Sequence, residues 1–240
     1  MGFIENPKTK GSGIVTCIPQ TGRCPIDCED CFFQSGRSYL EPLEKNLPNM
    51  PPLAMAENMI VRVNDGNDSS NDFPMAMENT RYFRNKFYNT SMVSHIHDFD
   101  APFVLTINPK SMTDKSFHRI DPPPNLMFVR FRINTWNWTV ANAAVEYYTS
   151  KDVPVVLTFM AYYTGNIPKN HWKYYQLRKR VLNEYQAITT EAWRMVMKRY
   201  RDDKYVYSCG REGITSGCKF CGNCLREYFS TLERMKNGKK

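Results

Sequence analysis

Cysteines are the residues of this sequence best suited to chemistry. Eight occur, four near the start of the chain and four near its end. Three of the first four lie in one short segment, Cys24-Pro-Ile-Asp-Cys28-Glu-Asp-Cys31, where their thiolates can converge on a single inorganic cluster. Three thiolates leave one iron of a four-iron cluster without a protein ligand, and an open coordination position lets a cluster bind and reduce a substrate or cofactor. The spacing therefore predicts an iron–sulfur cluster with one open iron.

The cysteines near the end of the chain form a second group with a different spacing. Four thiolates are enough to ligate an iron–sulfur cluster fully or to hold a tetrahedral zinc ion. The C-x2-C-x2-C run is of the ferredoxin type, which favours a second [4Fe-4S] cluster, with zinc as the alternative. The group consists of Cys209, Cys218, Cys221 and Cys224. The remaining cysteine, Cys17, lies in the apolar run 14–18 and is expected to be a buried core residue.

The first spacing resembles that of the radical S-adenosylmethionine superfamily, in which a C-x3-C-x2-C loop follows the first strand of a partial (β/α)6 barrel. The resemblance implies that the open iron is chelated by the amino and carboxylate groups of S-adenosylmethionine. It also implies that the reduced cluster cleaves this cofactor to methionine and a 5′-deoxyadenosyl radical, which abstracts a substrate hydrogen atom. The second group resembles the auxiliary-cluster extensions of several such enzymes. Asp30 stands where the family often has an aromatic residue, and Phe33, just after the third cysteine, is the aromatic residue assigned to the cofactor.

Alternating strands and helices must position these loops. Runs rich in β-branched and aromatic residues predict six strands, over 14–18, 59–64, 103–108, 127–134, 154–160 and 205–208. Helical patterns occupy 140–148 and the long stretch 171–200. This alternation predicts an α/β fold with a parallel sheet. Six units fit a partial (β/α)6 TIM-like barrel of the radical S-adenosylmethionine type over 1–208, followed by a short cysteine-rich extension over 209–240 that binds the auxiliary cluster.

A polar turn at the end of the second predicted strand is a candidate cofactor site. Members of the family carry a Gly-Gly-Glu-like motif here for the amino group of S-adenosylmethionine. Asn64, Asp65, Gly66 and Asn67 match that motif in position and loosely in identity. An ordinary β-turn is the alternative interpretation.

The fourth predicted strand carries two arginines on one face. Period-two alternation puts Arg130, Arg132 and Asn134 on the same side of the strand. Arginines that face inward need anions, and the carboxylate of S-adenosylmethionine or a substrate phosphate would satisfy them. An internal salt bridge to Asp or Glu is the alternative. The third predicted strand offers Thr106 and Asn108, and the fifth offers Thr158, as contacts to ribose or substrate.

Charge and hydropathy limit the partners. Lys and Arg number 32 against 24 Asp and Glu, a formal charge of +8, which favours anionic partners such as nucleic acid unless it serves only solubility. Segment 171–180 interleaves aromatic residues with cations, as either an outer barrel helix or a nucleic-acid contact would. The longest nearly apolar stretch, 153–163, is too short to span a membrane, and the chain starts without an apolar leader. We expect a cytoplasmic protein with no membrane partner.

Two functions remain open at this point. The first is a radical S-adenosylmethionine enzyme with an auxiliary cluster, served by a reductant such as flavodoxin or ferredoxin, that modifies a peptide or protein in preference to a nucleotide or nucleic acid. The second is a zinc-stabilised nucleic-acid-binding module, in which Cys28 and Cys31 share a zinc ion with Cys221 and Cys224. This second hypothesis leaves three cysteines unexplained: Cys24, Cys209 and Cys218.

Overall fold

The structure is a computed structural model that describes residues 2–28, 30–34, 38–108, 117–163, 166–179, 184–210 and 217–237. The strands in this part of the chain are β1 (Ile14–Cys17), β2 (Ile60–Val63), β3 (Lys86–Thr90), β4 (Phe103–Ile107), β5 (Leu126–Ile133), β6 (Val155–Phe159), β7 (Ala161–Tyr162), β8 (Tyr175–Lys179), β9 (Glu184–Ile188) and β10 (Val206–Ser208). The helices are α1 (Leu43–Asn46), α2 (Leu53–Ala56), α3 (Phe73–Thr80), α4 (Trp138–Thr149), α5 (Thr190–Arg199), α6 (Cys218–Cys221) and α7 (Asn223–Asn237), with a 3₁₀ helix at Lys169–Tyr174. Nowhere in these ranges is a helix long and apolar enough to cross a membrane.

One parallel sheet dominates the fold. Its seven strands run in the order β1-β2-β3-β4-β5-β6-β10, so each strand pairs with the next one along the chain that belongs to the sheet. All six pairings are parallel. The prediction of an α/β fold with a parallel sheet is confirmed. The six predicted strands all belong to this sheet, and its remaining strand, β3, was not predicted. Parallel strands bring their carboxyl ends to one edge of the sheet, where loops from distant parts of the sequence meet.

A small antiparallel sheet of β7, β9 and β8 follows β6. Tyr175 pairs with Ile188 at one end of the β8–β9 ladder, and both side chains are buried. The prediction of a helical stretch over 171–200 is therefore wrong for 175–179 and 184–188, which form strands, and is confirmed over 190–199 by α5. Aromatic and β-branched residues pack well on a pleated surface, and here they form strands. Among the described residues of this region, α5 is the one α-helix, and Thr189 caps it by accepting a hydrogen bond from the Ala192 amide.

The two faces of the parallel sheet support different layers. One face packs into the main core, which includes Cys17, Leu105 and Phe131 together with residues of α4 and α5. Cys17 is fully buried there, as expected. The other face carries a smaller apolar cluster that includes Ile60, Val104, Phe128 and Val156, and Tyr228 of α7 packs into it. The C-terminal helix therefore shares a core with the sheet.

Candidate functional site

The first cysteine group lies in the loop that follows β1, near the carboxyl edge of the parallel sheet. The Cys31 amide donates to the Cys28 carbonyl at 3.1 Å, which closes a tight turn around the last two cysteines. Gln34 braces the loop, because its side chain donates to the Cys24 carbonyl at 2.7 Å and its amide lies 3.5 Å from the Cys31 Sγ. The three thiols are close enough to interact electrostatically. The loop thus gathers the residues that the spacing selected.

Burial favours the protonated form of two of these thiols, Cys24 and Cys28. Burial raises the pKa of Cys24 to about 11 and also raises the pKa of Cys28, although a hydrogen bond with Asn108 and the charge of Arg132 oppose the second shift. A metal that binds here must displace the protons, since thiolates are the ligands.

Arg132 reaches the first cysteine group from β5. Its Nη2 donates to the Asp30 carbonyl at 2.7 Å, and its guanidinium carbon lies 4.8 Å from the centre of the Phe32 ring. It also interacts electrostatically with Cys31 and Cys28. Asp30 has a left-handed backbone, with φ of 48°, a conformation that Asp tolerates better than an aromatic residue does. This backbone accounts for Asp at a position where the resembling family often has a ring.

Residues of the polar turn after β2 lie towards different cysteine groups. The Asp65 carboxylate lies 2.6 Å from an Arg62 nitrogen and also accepts a hydrogen bond from Asn6. It is therefore held inside the protein, on the side of the second group. Asn64 is left-handed, with φ of 60°, and its side-chain amide donates to Ser69 at 3.0 Å.

Gly66, in contrast, touches the first group. Phe33 lies against its Cα so closely that an added Cβ would overlap the ring. Phe33 is buried, at 9% exposure, and it also packs with Ile18 and Leu40. Phe33, which the sequence assigned to the cofactor, therefore packs the cysteine loop against the turn that follows β2.

Asp68 joins the turn after β2 to the end of β3 through hydrogen bonds. The sequence analysis did not identify it as a site residue. Asn67 accepts a hydrogen bond from the Asp68 amide at 2.8 Å, and the buried Asp68 carboxylate accepts four further bonds at 2.6–2.9 Å. Those donors are the Ser70 amide, the Thr90 hydroxyl, and the amide and hydroxyl of Ser91. Asp68 also interacts electrostatically with Cys24 and Cys28. Thr90 ends β3 and Ser91 follows it, so they lie 22 and 23 residues from Asp68 in the sequence. No local sequence pattern could have revealed these contacts.

A cavity of about 390 Å³ opens beside Cys28. This volume is within the range of small-molecule sites. The loop after β3 supplies one wall, and Asn108, directly after β4, lies on another. The lining includes Ile26, Ser91, Met92, Asn108 and His118. Of these residues, only Asn108 was expected from the sequence to meet a ligand.

The Asn134 side chain stabilises the turn that follows β5 through hydrogen bonds. Its Oδ1 accepts hydrogen bonds from the Trp136 and Asn137 amides at 2.8 Å each. Its amide nitrogen donates to the Tyr162 hydroxyl at 3.0 Å. The side chain that was predicted to bind the cofactor thus shapes the start of α4.

The second cysteine group gathers where β10, α6 and α7 meet. Cys209 follows β10, and its amide donates to the Leu157 carbonyl at 2.8 Å. Cys218 begins α6, and its amide donates to the Lys8 carbonyl at 3.0 Å. Gly222, with φ of 71°, ends α6 in a left-handed turn, so that Cys224 can lie in the first turn of α7.

The thiols of this second group interact with one another. The Cys209 thiol shares a hydrogen bond with Cys221, which raises the pKa of Cys209 and lowers that of Cys221. Backbone groups at Gly210 and Asn223 also favour the Cys221 thiolate. Cys218 interacts with both Cys224 and Cys221.

Arg130 lies beside the second group and not the first. Its Nη1 donates to the Asn89 side chain at 3.1 Å and lies 3.5 Å from the Thr106 hydroxyl. Its guanidinium interacts electrostatically with Cys224 and Cys209. The two arginines of β5, predicted to share one ligand, thus face different cysteine groups.

Each of the two donor sets is chemically suited to a metal centre. All eight cysteines are free of disulfides. Within the described ranges, no three or more His, Cys, Asp or Glu side chains already stand in an arrangement that would hold a metal ion. The chemistry of the donors nevertheless fits: three thiols suit a cluster with one open iron, and four suit a fully ligated cluster or zinc.

Comparison of the chain with family models, with curated proteins and with solved structures gave no match.

Proposed function

We propose that this protein is a radical S-adenosylmethionine enzyme with an auxiliary metal centre. The observation that carries the proposal is the position of the C-x3-C-x2-C loop. It follows the first strand of a parallel sheet whose strands are ordered along the chain, and a cavity of about 390 Å³ lies beside Cys28. This strand order is the one that a partial (β/α) barrel requires, and we propose that the sheet is such a barrel.

In this proposal, different residues around the cavity bind the cluster and the cofactor. Cys24, Cys28 and Cys31 would ligate a [4Fe-4S] cluster and leave one iron open. Arg132 would remain beside the thiolates and partly balance their charge, because it already lies within electrostatic reach of two of them. The cavity beside Cys28 would take the cofactor, with Asn108 and Ser91 as hydrogen-bonding groups on its walls.

The turn after β2 has a supporting role. Gly66 allows the Phe33 ring to approach the backbone, and this contact fixes the cysteine loop against the sheet. Asp68 holds the loops after β2 and β3 together. These contacts keep the cavity walls in place, which is the contribution expected of a protein that binds a reactive cofactor.

When bound, a reduced cluster with an open iron supplies the electron that cleaves S-adenosylmethionine to methionine and a 5′-deoxyadenosyl radical, which takes a hydrogen atom from the substrate. The chain itself binds, orients and excludes water. In the proposal the second cysteine group holds an auxiliary [4Fe-4S] cluster, with zinc as its alternative, and flavodoxin or ferredoxin supplies the electrons. The proposed substrate is a peptide or protein, with nucleotides or nucleic acids as the second choice.

Formation of 5′-deoxyadenosine tests this proposal. The full chain is reconstituted anaerobically with iron and sulfide, reduced with dithionite, and incubated with S-adenosylmethionine. We expect absorbance near 400 nm, about eight irons per chain, and 5′-deoxyadenosine. Cys28→Ala should abolish the product, whereas Cys17→Ala, which alters a cysteine of the core, should retain it. A colourless zinc protein, or equal product from Cys28→Ala, would refute the proposal.

A zinc-stabilised nucleic-acid-binding module receives less support. It requires Cys28 and Cys31 to share an ion with Cys221 and Cys224. The observed interactions instead link Cys28 to cysteines of its own loop, and Cys221 to Cys209. This partition favours two separate centres.

A further inference from the structure

We infer that Arg62 and Arg130 are built-in counter-cations for an anionic metal centre held by Cys209, Cys218, Cys221 and Cys224. The inference deepens the proposed function, since it rests on a metal at the second cysteine group. It does not depend on which metal is bound, because zinc and a [4Fe-4S] core would carry similar charge when four thiolates ligate them.

Strand geometry puts both arginines beside the second group. Cys209 and Cys224 pack against an apolar cluster that includes Ile60 of β2 and Phe128 of β5. Arg62 and Arg130 lie two residues farther along the same strands, and therefore on the same face of the sheet. The guanidinium of Arg62 interacts electrostatically with Cys218, Cys224 and Cys209.

In the part of the chain that the structure describes, the two arginines on this face have one carboxylate partner. Arg62, whose side chain is 18% exposed, pairs with Asp65 at 2.6 Å. Arg130, which is partly buried, donates to the neutral side chains of Asn89 and Thr106. Among the described residues, two cations therefore share one carboxylate beside the cysteines.

The neighbouring cation on α7 does not change this balance. Arg226 is already paired with Glu227, with 2.8 Å between Nε and Oε1. A partly buried cation without a counterion costs free energy unless an anion lies close to it.

A bound metal centre supplies more negative charge than the free cysteines, among which a thiolate is favoured at Cys221. Four thiolates around Zn²⁺ or around a [4Fe-4S]²⁺ core leave about two negative charges at the site. Arg62 and Arg130 would then stabilise the loaded centre, and Asp65 would weaken it. Asp65 therefore acts at the second centre, as the partner of Arg62, in contrast to the cofactor role suggested by its position in the turn.

The metal affinity of variants with altered charge tests this inference. All variants are made in a full chain with Cys24→Ser, Cys28→Ser and Cys31→Ser, so that only the second group binds metal. Zn²⁺ affinity is measured by competition with a chromophoric chelator, and the absorption of bound Co²⁺ reports four thiolate ligands. We expect Arg62→Gln and Arg130→Gln each to weaken Zn²⁺ binding by about 10- to 100-fold, as is usual for residues that surround metal ligands.

The opposite sign is expected for Asp65→Asn. This variant keeps the side-chain shape and removes one negative charge, so Zn²⁺ should bind roughly threefold to tenfold more tightly. Damage to the fold would instead weaken binding in every variant. Arg62→Lys retains the charge and should keep affinity within about threefold of the parent chain. Arg234→Gln alters an arginine that donates to the Leu126 carbonyl at the other end of β5 and should leave affinity unchanged.

Two results would overturn the inference. One is unchanged Zn²⁺ affinity in both Arg62→Gln and Arg130→Gln, and the other is weaker binding in Asp65→Asn. If Arg62→Gln does not fold, Arg130→Gln and Asp65→Asn decide the question. If the charge variants bind zinc with the expected signs but the chain with all its cysteines makes no 5′-deoxyadenosine, the proposed function alone is refuted. If the chain with all its cysteines cleaves S-adenosylmethionine but zinc affinity does not depend on these charges, this inference alone is refuted.

Discussion

The two cysteine groups differ in how their surroundings are built. The first lies in an irregular loop beside a cavity, and its arginine, Arg132, contacts a carbonyl and a ring. The second lies where secondary-structure elements converge, packed against an apolar cluster and next to two arginines. The first region therefore leaves room for a ligand, whereas the second would enclose the charged centre that we propose for it.

This contrast arises on a single strand. Arg130 and Arg132 are two residues apart on β5, a spacing of about 7 Å, yet they face different cysteine groups. The two centres would therefore be neighbours on one face of the sheet. The difference between them then comes from what each group meets beyond that strand: an open loop region at one, and α7 at the other.

The largest effect that separates the two regions is expected from Cys221→Ser. Loss of one of four ligands at a closed site should remove the second cluster, which lowers iron from about eight to about four per chain. Reductive cleavage of S-adenosylmethionine should continue, because the first group is intact, while turnover of a substrate fails. Iron analysis and product assays on the same sample measure both. Loss of cleavage together with the iron would show that the two groups form one site.

Asp68→Asn probes the framework of the open region. The carboxylate accepts four hydrogen bonds from the loops after β2 and β3 in addition to the one that its own amide gives to Asn67. An amide cannot accept all of them, so the free energy of unfolding should fall by about 3 kcal/mol. Denaturant unfolding measures the loss. Asp98→Asn, which alters the exposed partner of His95, should change stability by less than about 0.5 kcal/mol and serves as the control.

Gly66→Ala sharpens the comparison at the contact between the cysteine loop and the β2 turn. The new methyl group would overlap the Phe33 ring, and such overpacking costs about 1–3 kcal/mol. Phe33→Ala removes the ring, so the two substitutions together should destabilise the chain by less than the sum of their separate effects. A double-mutant cycle in urea measures this coupling. Additive effects would mean that the contact does not join the loop to the sheet.

Much of the framework was readable from the sequence, because strongly apolar runs identify buried strands. β3 was missed because Lys86 and Asn89 interrupt its pattern, and their partners are distant. Lys86 is buried against Asp100 at 2.9 Å, and Asn89 donates to the Val63 carbonyl at 2.8 Å. A buried polar residue whose partner lies far along the chain has no local signature.

The candidate site was readable in part for the same reason. Cysteine spacing identified both groups, since thiols within a few residues must lie close together. The division of the two arginines was not readable, because alternation fixes the face of a strand and not what lies above it. Asp65 shows the same limit. Its position matched a cofactor motif, whereas its carboxylate pairs with Arg62 of β2, the strand that precedes it.

Electron paramagnetic resonance of the reduced protein tests the central claim, that the first centre is open to a ligand and the second is closed. Spectra of Cys221→Ser and Cys28→Ala, which isolate the first and second clusters, are recorded before and after addition of S-adenosylmethionine. We predict that the cofactor changes the signal of Cys221→Ser and leaves that of Cys28→Ala unchanged. A cofactor-dependent change in Cys28→Ala, or none in Cys221→Ser, would contradict the account.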